Sequence, residues 1–326
     1  MRKNMRSMVP MTDATLKRQN YHYINRTGDL MKMRICAMLL TGALMVCAGL
    51  LTGCANLSAV RTYADETKKL TAAFDPMLSG STSSCVEKLL RKKMITSRNF
   101  EAAAAEKAAK ELCGPVEEDN KIIAELNALL AQYADTLAAL ANDKLPSYAK
   151  ELDGLQDSLA KVKRSGSQEN LLNADKLAAL TSLTDLMSQL ATRQPQRTVI
   201  GDLLSQEEGI AAITGALKDY ATLNYRAWLR DEKREIRVLL AALAGATKKE
   251  PLAANYIKTL LLTEERQIDG REKAVDAFVR SIDELQKSHA ELRLKLHSLD
   301  DKELLARLLN FANEVAKLRR QVRDAF

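Results

Sequence analysis

The side chains whose types and spacing could do chemistry in this 326-residue chain are three histidines, five cysteines and a series of paired acids. His289 and His297 stand eight residues apart on a stretch of helical periodicity. That is about 12 Å along a helix axis, too far for one metal ion to bridge. A carboxylate-bridged metal site between helices wants Glu-x-x-His, but Gln286 and Leu294 occupy those positions. His289 falls on an apolar seam, where a lone polar residue sets helix register. Acid pairs recur at Glu117-Glu118, Glu207-Glu208, Glu264-Glu265 and Asp300-Asp301. In helices this charged they read as solvated faces or caps rather than as a glycosidase-like pair. There is no Cys-x-x-Cys-His, no Gly-rich phosphate loop and no Gly-x-Ser-x-Gly elbow. No catalytic residue, metal ligand or cofactor is expected, and the protein is expected not to be an enzyme.

One stretch is a candidate for binding. Tyr225, Arg226, Trp228 and Arg230 place the only tryptophan beside a basic run that continues through Lys233, Arg234 and Arg237. Trp, Tyr and Arg anchor protein interfaces. The competing reading is ordinary packing, with Asp231, Glu232 and Glu235 neutralising the arginines as helix neighbours.

The cysteines divide by position. From Met31 the chain reads Lys32 and Arg34, then an almost unbroken apolar run from Ile35 to Leu51, then Thr52-Gly53-Cys54. A charged start, an apolar middle and small residues ahead of a cut are the parts of a secretory signal peptide. Leu51-Thr52-Gly53-Cys54 resembles the lipobox of bacterial lipoproteins. That resemblance implies that Cys54 becomes the first residue of the mature chain and carries lipid, with the membrane as one partner. An uncleaved spanning helix is the other reading of the run. Ala55, where an aspartate would retain such a protein at the inner membrane, implies the periplasmic face of the outer membrane. In a Gram-positive source the same signal implies the outer face of the plasma membrane. Residues 1–30, His22 included, lack periodicity and read as a non-native or disordered extension ahead of a start at Met31 or Met33. Residues 31–53 are the leader.

Cys36 and Cys47 fall within the leader, so Cys85 and Cys113 remain as one pair in a compartment where disulfides persist. Ser84-Cys85-Val86-Glu87 reads as a capping box opening a helix at Cys85 that runs to about Ile95. A second helix through Ala102 to Ala105 ends at Cys113 before Gly114-Pro115. An antiparallel hairpin of the two brings the cysteines together, and a structural disulfide is expected.

Charge also divides at the leader. The whole chain has 49 basic and 42 acidic side chains, but the first 53 residues hold eight of the former and two of the latter, which leaves 41 against 40. So balanced a remainder gives no electrostatic reason to expect a nucleic-acid partner.

The elements that must position these residues are all helical. Ile123, Leu126, Leu130, Tyr133, Leu137 and Leu140 follow alternating steps of three and four, behind a start at Pro115 with acids in its first turn. Tyr148, Leu152, Leu155, Leu159 and Val162 resume the spacing, and residues 163–167 read as an exposed connection. Leu177, Leu180, Leu183, Met187 and Leu190 carry another helix. Ser205-Gln206-Glu207-Glu208 reads as a capping box for a helix running to Leu243. From Leu252 a longer one carries Ile257, Leu261, Ile268, Val275, Phe278, Ile282, Leu285, His289, Leu292, Leu296 and Leu299 on one seam, across Gly270. A last helix packs Leu304, Leu308, Phe311, Val315, Leu318 and Val322. Period-two alternation is absent, and aromatics are only 4%, which suits slender helix seams. The expected fold is all-α, an elongated antiparallel bundle with coiled-coil-like helices. Residues 54–163 form an N-terminal region holding the disulfide, and residues 171–326 a long-helix region.

The function read from this is a lipid-anchored envelope protein that scaffolds, tethers or binds another envelope protein, with oligomerisation open. An enzyme or small-ligand carrier, its site assembled from dispersed acids, tyrosines and arginines, is the alternative. A deep pocket with converging buried Tyr, Arg and acids would favour the alternative, and filled seams the first.

Overall fold

The computed structural model describes residues 57–146, 155–164, 167–190 and 197–326. The expected extension 1–30 and leader 31–53, with Cys54, Tyr148 and Leu152, lie outside them. Residues Ala55–Phe326 form one compact unit. The fold is all-α: among the described residues the only extended pairing is an isolated bridge between Lys163 and Asn170. None of the described helices is long and apolar enough to cross a membrane.

The helices are α1 (Ser58–Thr96), α2 (Ala102–Leu112), α3 (Gly114–Leu140), α4 (Leu155–Leu159), α5 (Ala174–Leu190), α6 (Arg197–Leu204), α7 (Glu207–Asp219), α8 (Arg226–Ala246), α9 (Pro251–Leu294) and α10 (Lys302–Ala325). A π-helical segment, Tyr220–Tyr225, joins α7 to α8 without a break. α1 lies at the centre. Its 39 residues span about 58 Å, and it packs against α2, α3, α8, α9 and α10. Matching levels fix the directions. Lys68 meets Asp135 and Asn120 meets Thr82, so α3 runs antiparallel to α1. Tyr63 meets His289 and Arg91 meets Glu264, so α9 does too. Tyr63 with Phe311 and Gly80 with Phe326, and Lys88 with Trp228 and Arg91 with Glu232, make α10 and α8 parallel to it. The two sequence regions therefore share one core.

The expected start at Cys85 is not a start. Ser84 is buried in the interior of α1, which runs unbroken through Pro76 and Ser79-Gly80-Ser81-Thr82-Ser83-Ser84. Serine there returns its hydroxyl to the helix itself, Ser79 Oγ to the Pro76 carbonyl and Ser83 Oγ to the Ser79 carbonyl, both at 3.0 Å. Packing overrides the local capping signal because the small residues form a slot. A Cβ on Gly80 would lie 2.6 Å from both the Tyr225 hydroxyl and Phe326 Cε1.

The stripes of α3, α5 and α10 are buried as their spacing predicts, with Leu177 half-buried. α3 ends before a turn in which Asp143 takes a left-handed conformation, φ 53°. Leu155, Leu159 and Val162 are buried, but the described helix there is the five residues of α4. α7 begins where the second capping box placed it, yet the box does not form: Ser205 Oγ donates to the Asp202 carbonyl instead. α6, with Val199, Ile200, Leu203 and Leu204 buried, was not anticipated. α9 runs through Gly270 for 44 residues and ends at Leu294. The seam continues past that end in a turn holding Leu296 and Leu299 inside, whereas Ile257 at the other end is exposed.

The disulfide between Cys85 and Cys113 is formed, with Cα atoms 6.1 Å apart. It ties the end of α2 to the middle of α1.

Candidate functional site

The π-helical segment determines what faces α1 around the small-residue slot. Five residues apart in an α-helix, Tyr220 and Tyr225 would point about 140° away from one another. The wider π turn brings them onto one side. Tyr220 donates to Asn120 Oδ1 and lies edge-on to Phe74, while Tyr225 covers Gly80. Burial pushes both phenols well above the ordinary tyrosine range.

Above this layer lies a knot of charge. Glu232, 2% exposed, accepts through Oε1 from Arg91 Nη1 at 3.1 Å and Arg271 Nη2 at 3.2 Å. Arg91 also reaches Glu264 at 3.0 Å and Glu87 at 3.1 Å, and Arg271 Nη1 donates to Ser84 Oγ at 3.1 Å. Burial raises the Glu87 carboxyl, against the pull of Arg91. One carboxylate thus joins α1, α8 and α9, and the arginines are closed on partners. The linear sequence hid the knot because its members come from three helices; Glu232 had been read only as a helix neighbour of the arginines.

Of the four residues singled out for partner contact, Tyr225 is in the core and Arg226 is paired with Asp276. Trp228 is half-buried beneath Lys88, whose Nζ lies 4.8 Å from the ring centroid. A cation over an indole face is an attractive contact in its own right. Arg230 is exposed. Geometry therefore brings Trp228 and Arg230 to the surface and withdraws Tyr225.

His289 is 2% exposed between Tyr63 and Tyr133, and its Nε2 is 2.8 Å from the Tyr133 hydroxyl. Desolvation, reinforced by Arg293, lowers the imidazole to about 4. It is therefore neutral near pH 7, and the retained phenol proton donates to it. His297 is exposed on the turn after α9, so the two histidines do not meet. Of the acid pairs, Glu207 meets Arg293, Glu264 and Glu265 meet Arg91 and Arg237, and Asp301 caps α10. Glu117 and Glu118 are exposed and share Lys121. Glu291, Asp301 and Glu303 bring one oxygen each within 4.8 Å of the others, but Lys295 already lies 3.2 Å from Asp301.

Open clefts flank α1. One, of about 930 Å³, is bordered by Asp75, Ser79, Gly80, Gln267, Arg271 and Phe326. Another, of about 590 Å³, lies between the end of α1 and α2, with Ala104, Ala105, Ala108 and Leu112 on its wall. Beyond them, the hairpin of α8 and α9 carries large apolar side chains into solvent: Leu252 is 86% exposed, Tyr256 65%, Leu260 45% and Ile257 41%.

No family model, no curated protein and no solved structure matches this chain.

Proposed function

We propose that this chain is a lipid-anchored envelope protein that works as a non-catalytic helical scaffold or tether, presenting the α8–α9 hairpin to another protein of the envelope. The observation that carries the reading is the apolar exposure of that hairpin, since contiguous exposed apolar surface marks interaction sites. The hairpin tip lies at the opposite end of α1 from Ser58, as the contact of Arg91 with Glu232 and Glu264 requires. Lipid on Cys54 would sit four residues before α1, so the tip would be held away from the bilayer. The charged groups of the interior support a non-catalytic role, because Arg91, Arg271 and Glu232 are engaged with one another.

A small-ligand carrier is the second reading. It rests on the cleft beside Gly80, which Gln267, Asp75 and Arg271 border. It ranks behind because Arg271 and Asp75 already hold Glu232 and Asn127.

Envelope fractionation and intact-mass analysis test the anchor. The expected outcome is a diacylglyceryl mass on a chain beginning at Cys54, found with the outer membrane, and release of Cys54→Ser from the lipidated fraction. An unmodified chain in the cytosol would refute it.

A further inference from the structure

The geometry points to a specific occupant for the exposed hairpin: an acidic amphipathic helix of a partner protein, docked in the groove that α1 fills lower down. This deepens the scaffold reading and rests on it for the biological setting only.

The groove is read from two rows of residues that face α1. On α9 the row advances by sevens, and each member has an α1 partner. Phe278 stacks on Phe74 with ring centroids 4.6 Å apart, Arg271 bonds Ser84, and Glu264 bonds Arg91. The next member is Ile257, flanked by Leu260. On α8 the row passes through Tyr225 over Gly80, Trp228 under Lys88 and Glu232 on Arg91. It continues through Glu235, which Arg234 neighbours at 3.8 Å, to Leu239 and Ala242. α1 stops at Thr96, about 8 Å beyond Arg91. α8 and α9 continue for about 20 Å beyond the knot. The same heptad rows that hold α1 therefore run on without it, and their side chains change there from charged to apolar. That is the pattern of a helix-in-groove site, and the groove is continuous with an interface already formed.

Charge selects the helix. Arg98 at the end of α1 and Lys248 and Lys249 at the hairpin turn are exposed and have no carboxylate partner among the described residues; Glu250 is the one acid of the turn. A second copy of this chain would bring the same cations to the groove. Its acids on the adjoining turns are engaged within the chain, Glu264 with Arg91, Glu265 with Arg237 and Asp269 with Lys233. A groove between two helices also receives a cylinder better than a lipid plane.

The test uses the full chain in detergent and two synthetic amphipathic helices with identical leucine cores, one flanked by glutamate and one by lysine. Fluorescence anisotropy is expected to show the glutamate helix binding at least tenfold tighter than the lysine helix, with salt weakening it. Ile257→Asp with Leu260→Asp, both at exposed positions, is expected to lower that affinity at least tenfold while leaving the thermal midpoint unchanged. Equal binding of the two helices, or none, overturns the proposal. So does a concentration-dependent dimer in sedimentation that the double variant dissolves. A Tyr256→Trp probe in a Trp228→Phe background that shifts to the blue with anionic phospholipid vesicles, and not with the glutamate helix, overturns it in favour of a membrane. Because binding is read in detergent, loss of the anchor assignment leaves this result standing, and failure of binding leaves the anchor assignment standing.

Discussion

At the scale of single residues, the interior gives His289 a role that its position on the seam only half announces. Spacing placed it between apolar neighbours, and it is buried there; what spacing could not give is Tyr133, 156 residues away, as its hydrogen-bond partner. Burial holds the imidazole neutral in the fold, so the unfolded chain takes up the proton first as pH falls. Stability is therefore full above about pH 6.5 and drains as pH approaches 4. The drain is about 3 kcal/mol for a shift of this size. The carboxyls of Asp75, Glu87 and Asp119, raised by partial desolvation, give the opposite slope at the acid end. Urea unfolding from pH 7.5 to 4.5, compared with His289→Leu, isolates the histidine. A pH slope identical in the two proteins would contradict the assignment. Glu232 shows the limit of reading residues in order, because its partners Arg91 and Arg271 lie 141 and 39 residues away.

At the scale of elements, legibility follows how one-sided a helix is. α3 and α10 each bury one stripe, and apolar spacing found them, Phe311 and Val315 included. α1 buries more than one row, and its main one, through Val60, Tyr63, Thr67, Leu70, Phe74, Met77, Ser81 and Ser84, keeps alternating steps of three and four but passes through Thr67, Ser81 and Ser84, so apolar spacing alone did not find it and its serines suggested a beginning inside the helix. The π-helical segment left no signal that apolar spacing could report. α2 is the converse case. Only Ala109 of its eleven residues is buried, so its place depends on the cross-link at its end. Closing the 28-residue separation stabilises the fold by about 3 to 4 kcal/mol in the chain-entropy model. Reduction, or Cys113→Ala, is expected to lower the unfolding free energy by that amount. Amides of 102–112 should lose their exchange protection first. Retention of protection in α2 after reduction would show that packing alone suffices.

At the scale of the whole molecule, the helices that close the core come late. Of the helices that pack on α1, α2 and α3 precede residue 226, whereas α8, α9 and α10 follow it. Deleting residues 302–326 removes Phe311 from Tyr63 and Ala325 from Gly270. The shortened chain is expected to lose its cooperative thermal transition by circular dichroism. A sharp transition near that of the full chain would show that α10 is dispensable. The all-α class and most helix positions were evident from spacing. Which helix is central was not, because centrality is a property of contacts between segments far apart in the chain.

Placing the first helix at the centre governs how the nascent polypeptide behaves. Synthesis delivers α1 well before α8, α9 and α10, so the face they cover stays open until the tail appears. Contacts so distant in sequence slow folding. Were the chain exported as proposed, that delay would keep it threadable through a secretion pore and leave compaction to the far side.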